Sequence, residues 1–89
     1  MYNPFIVKTH IIKCNRLNDN ELIIEMEKLK SKLTKLNHLL KTRYKEFDDG
    51  KMPYRQFNSK ICTLQENIDI ISKKLKATEN IMSSRGIQL

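Results

Sequence analysis

LIIEMEKLKSKLTKLNHLLKTRYKEF, residues 22–47, places Leu22, Met26, Leu29, Leu33, Leu36, Leu40, Tyr44 and Phe47 at steps of 4, 3, 4, 3, 4, 4 and 3. Alternating steps of three and four keep a narrow apolar stripe on one side of an α-helix, the pattern of a coiled-coil seam. Immediately upstream, Asn18 stands three residues before Glu21, with Asp19 in the first turn and Leu17 placed to pack onto Leu22. That is a capping box with an apolar staple, and it starts the helix at about residue 19.

Downstream, Asp48-Asp49-Gly50-Lys51-Met52-Pro53 closes the helix. Gly50 accepts the left-handed conformation that ends a helix, and Pro53 suits the first turn of the next one. A second seam follows, with Tyr54, Phe57, Ile61, Leu64, Ile68, Ile71, Leu75, Thr78 and Met82 at steps of 3, 4, 3, 4, 3, 4, 3 and 4, and Thr78 is its one polar member. Each helix rises about 42 Å, and so short a connection makes the two antiparallel neighbours. The chain therefore reads as all-α: residues 18–83 form an antiparallel two-helix coiled-coil hairpin, with helices at about 19–47 and 54–83 and a turn at 48–53.

Residues 1–17 form a docking segment, and 84–89 a tail that frays. Val7, Ile11 and Cys14 fall at helical spacing, yet the density of Ile, Val and Thr over 6–12 favours an extended piece, so the segment is open between extended and helical. A hairpin with one narrow seam is marginal alone. Ile23, Ile24, Leu39, Ile70 and Ile81 widen the apolar faces beyond the seams and, with Tyr2 and Phe5, form the candidate partner or dimer surface. The N-terminal segment folding back, a second copy completing a four-helix dimer, or a different protein would each cover it. The expected partners are a second copy, making a homodimer, and a further protein.

The 89 residues allow one small domain, and two Gly cannot supply a dinucleotide fingerprint. No carboxylate pair, nucleophile with an adjacent base, or HExxH segment is present, so the chain reads as non-enzymatic and without a cofactor. No apolar run approaches the roughly 20 residues of a membrane span, and residues 13–16 offer no cleavage site for a secretory signal. The first acid is Asp19, a feature shared with organelle presequences. Two Cys do not make a disulfide framework, so a reducing, cytoplasmic setting is expected. Lys, Ile and Asn supply 32 of the 89 residues and Ala only one, the usage of an AT-rich genome such as that of a virus or phage.

Charge is unevenly placed. The net charge is +7, and residues 28–45 hold seven cations and no acid, so the remainder sums to zero. Lys28, Lys32, Lys35 and Arg43 fall within about 80° on a helical wheel and are the candidate phosphate contacts. A stripe of this kind binds nucleic acid through counterion release; the plainer reading is a solvated face. Tyr44, Phe47, Tyr54 and Phe57 lie at seam positions beside the bend, where they plug the end of the hairpin. His10, Cys14, His38 and Cys62 are ligand types for zinc, but their spacing is not that of a finger, and no metal is assigned. Asp48 and Asp49 read as turn residues. Two functions follow: a small interaction protein that binds, scaffolds or inhibits a protein partner, or an RNA- or DNA-binding protein using the basic stripe.

Overall fold

The computed structural model describes residues 4–87, which form three helices and no strand: α1 (Pro4–Asn15), α2 (Asp19–Asp48) and α3 (Tyr54–Ser84). The start of α2 is closed by the reciprocal pair read from sequence. The Glu21 amide donates to Asn18 Oδ1 at 2.8 Å, and the Asn18 amide donates to Glu21 Oε1 at 3.0 Å. Leu17 is half-buried and joins Leu22 in one apolar cluster. At the far end Gly50 takes φ 74°, and the amides of Gly50 and Lys51 donate to the carbonyls of Phe47 and Glu46. Those two bonds satisfy carbonyls that the helix cannot satisfy itself.

α2 and α3 lie side by side in opposite directions. Near the bend Tyr44 meets Phe57 edge-on at 5.3 Å, and Phe47 stacks on Phe57 at 4.3 Å. At the other end Arg85 reaches Asp19 at 3.4 Å. The radius of gyration is 16.0 Å, against about 12 Å for a compact domain of this length. The extents of 49 × 25 × 14 Å describe a flat, elongated body one helix layer thick over part of its length.

The N-terminal segment is helical, and the extended alternative, with any strand pairing, is set aside. Its β-branched residues follow the packing open to them rather than their propensity. Val7, His10, Ile11 and Cys14 share one side of α1 and are buried or half-buried, whereas Lys8, Thr9 and Lys13 face solvent. The helical spacing of Val7, Ile11 and Cys14 is the alternative that holds, and His10 joins their stripe. α1 packs chiefly on α3 and shares a core with α2 through Cys14, Leu22, Met26 and Met82.

Where a fraying tail was expected, α3 ends in a second glycine-closed cap. Gly86 takes φ 75°, Ile87 donates its amide to Met82 at 3.0 Å, and the Ile87 side chain packs on the core cluster. Between these residues, Arg85 turns its guanidinium onto the end of α1. Its Nη1 donates to the Leu17 carbonyl at 2.6 Å, and its Nη2 donates to the carbonyls of Asn15 at 3.1 Å and Cys14 at 3.3 Å. The C-terminal carbonyls of α1 have no intrahelical donor, and a cation there also complements the helix dipole.

Replacing Arg85 by Ala is expected to lower the unfolding free energy by about 1–2 kcal/mol, the scale of hydrogen bonds to a charged group. Lys should restore less than half, because an ammonium cannot fork between three carbonyls. Urea denaturation followed by circular dichroism measures both; midpoints equal to wild type would mean that α1 is held without this contact.

Candidate functional site

α1 covers about half of the α2–α3 pair, and burial along the α2 seam follows that cover. Leu22, Met26 and Leu29 are buried, Leu33, Leu36 and Leu40 are half-buried, and Tyr44 is exposed. On the face that carries α1, a groove between α2 and α3 continues past the end of that helix. Its first open section, about 430 Å³, lies between Lys32 and Leu36 of α2 and Asn67, Ile70, Ile71 and Lys74 of α3, with Ile6 of α1 closing one end. Further toward the bend the same two helix faces supply Leu39 and Arg43 opposite Lys60, Thr63 and Leu64. The groove thus has an apolar floor, and Lys32, Lys60 and Lys74 stand along it.

The basic stripe read from sequence forms one rim of this groove. Lys28, Lys32 and Lys35 are exposed on α2, while Arg43 is half-buried and ion-paired with Glu46 three residues on. The partner-surface candidates divide. Phe5 and Ile24 are 72% and 59% exposed, Leu39 lies at the groove edge and Ile70 is half-buried in the groove wall. Ile23 and Ile81, by contrast, pack against the chain's own core cluster. Tyr2 lies outside the described residues.

Beneath the α1 half of the groove, His10 and Thr78 are the two buried polar residues. His10 Nε2 lies 2.7 Å from Thr78 Oγ1 and 3.3 Å from Cys14 Sγ, and the Thr78 hydroxyl donates to the Lys74 carbonyl at 2.9 Å. Because the hydroxyl proton is committed to that carbonyl, the Nε2–H tautomer of His10 donates to Thr78 Oγ1. The Cys14 thiol reaches the same oxygen at 3.7 Å. Every buried side-chain donor and acceptor described is thereby satisfied. The polar break in the second seam is a partner for His10, which sequence spacing could not reveal across 68 residues.

Burial holds the His10 pKa below its ordinary 6.5; Lys74 and Lys13 push the same way, while Glu25 and the Lys74 carbonyl oppose them. His10 is therefore held neutral, and Cys14 is fully enclosed. A thiol shut off from solvent beside a neutral imidazole has no access to a substrate, and the cluster pins α1 to α3. His38 and Cys62 are both exposed, and no group of three or more His, Cys, Asp or Glu residues among those described is placed to hold a metal ion. Among the described residues no helix is long and apolar enough to cross a membrane.

A depressed His pKa means that the unfolded chain binds the extra proton first, so stability is complete above pH 6.5 and is lost as pH falls toward the lowered folded value. Thermal melts from about pH 8 to about pH 5 should show this decline, and His10→Gln should flatten it. A wild-type profile without that decline would mean His10 is not held neutral. Thr78→Val, which strands the imidazole N–H in an apolar site, should cost about 1–3 kcal/mol at neutral pH.

Comparison with known proteins returns no matching family model, no matching curated protein and no matching solved structure.

Proposed function

We propose that this chain is a non-enzymatic interaction protein whose antiparallel coiled-coil hairpin binds a protein partner. The observation that carries the reading is the half-filled groove. One end of the α2–α3 seam is sealed by α1, while at the other Leu36, Leu39, Ile70 and Ile71 line an open channel. Apolar surface rimmed by polar residues is where a small protein gains most from a partner. A second copy would complete a four-helix dimer, but placing it on this face sets one cationic rim against another, so a different protein is the better-supported partner. Binding of that kind serves either to scaffold the partner or to block it.

Nucleic acid is the second reading, favoured by the exposed line of Lys28, Lys32 and Lys35. It is weakened at Arg43, whose charge is met by Glu46. Helices lying along a phosphate backbone supply affinity with little base specificity.

Affinity capture with the tagged chain, run with and without nuclease, separates the two. A protein partner should be retained after nuclease treatment and lost on Leu39→Asp, with the helical circular dichroism of the variant unchanged. Recovery of nucleic acid alone, with retention that collapses between roughly 50 and 200 mM salt, would replace the first reading by the second. Sedimentation at tens of micromolar reads self-association directly, against a monomer of 10.6 kDa.

A further inference from the structure

The charge pattern of α2 changes sign near the N-terminal end of α1. Residues 19–27 carry Asp19, Glu21, Glu25 and Glu27 with no cation, and residues 28–45 carry seven cations with no acid. α1 has the complement of the first block: Lys8 and Lys13 and no acid in Pro4–Asn15. α1 packs chiefly on α3, and Lys13 Nζ, 3.5 Å from Glu25, ties its basic side to that acidic block.

Beyond α1 the described residues leave the α2–α3 channel open, and the charge along it is basic. Its floor is Leu36, Leu64, Ile70 and Ile71, and its lining includes Lys32, Lys60, Lys74 and Arg43 but no acid. Of the seven cations in residues 28–45, only Arg43 has an ion-pair partner among the described residues. We infer that the open half of the groove receives an acidic amphipathic helix of a partner protein, lying in line with α1. This rests on the protein-binding reading above and adds the partner's chemistry. From Lys32 to Arg43 the α2 side of the channel is about 17 Å long, enough for about three helical turns. Apolar side chains at i, i+3 or i+4, and i+7 would fill the floor, while Glu or Asp on both flanks would face the lysines. Nucleic acid fits this channel less well: no aromatic ring lines its open half to stack on a base, the rings at the bend being packed on one another.

The test uses three stapled 14-residue helices with one shared Leu/Ile face and flanks of Glu, Gln or Lys, titrated into the full chain by fluorescence anisotropy and methyl NMR. The Glu peptide should bind at least tenfold more tightly than the Gln peptide, and the Lys peptide more weakly still. Shifts should centre on Leu36, Leu39, Leu64 and Ile70. The double variant Lys32→Glu/Lys60→Glu, checked for unchanged helicity and Tm, should invert the Glu and Lys order.

Equal affinities for the Glu and Lys peptides, shifts confined to the opposite face, or a second copy seated on those methyls would each overturn the inference. So would an RNA oligonucleotide displacing the peptide from the same residues with higher affinity. If the peptide series is flat while nuclease treatment still leaves a captured protein that Leu39→Asp releases, this inference alone fails. If no protein is captured at all, the protein-binding reading falls with it.

Discussion

Two helices in contact can hide only the side chains that point between them, and every other feature of this molecule answers to that limit. A third element is needed to cover the rest of each stripe, and α1 supplies it for one half. Where it lies, Cys14, Leu22, Met26 and Met82 form a closed core. Where it is missing, the same repeat of leucines comes progressively into solvent until the aromatic cluster at the bend takes over. The gradient belongs to α2: on α3, Ile61 and Leu64 stay buried in the half that α1 does not reach.

α1 is held by means that differ from those joining α2 and α3. Its apolar stripe is short, and a buried imidazole, a hydroxyl and a thiol sit in the middle of it. Such a cluster adds less stability than an apolar isostere would, but it accepts only one register, since a slip of α1 leaves His10 and Thr78 without partners. Arg85 fixes the same register from the helix end. Position is specified here by polar groups and affinity by the few apolar ones.

What the sequence revealed and what it hid divide by distance along the chain. The Asn18–Glu21 box, the glycine bend at 50, the two seams and the aromatic plug are local patterns, and each was readable from residue spacing. Thr78 was visible as an exception, but its reason lay on a helix 68 residues away. Arg85 stood in a stretch read as frayed, and nothing near it announces three carbonyl partners at the end of α1. The β-branched residues of α1 favour an extended form by propensity, and the surface of α3 on which they pack makes the segment helical. The basic stripe was legible as a wheel position, whereas its place on the rim of a groove depends on how two helices lie together.

The order in which the chain is made sets a condition on the order in which it can close. α1 is made before α2 and α3, yet its hydrogen-bonding partners Thr78 and Arg85 belong to α3 and its cap. Until α3 emerges, the twelve residues of α1 lack the helix on which they chiefly pack. Docking of α1 is thus deferred until α3 has been made, and until then the stripe it covers stays open to another helix.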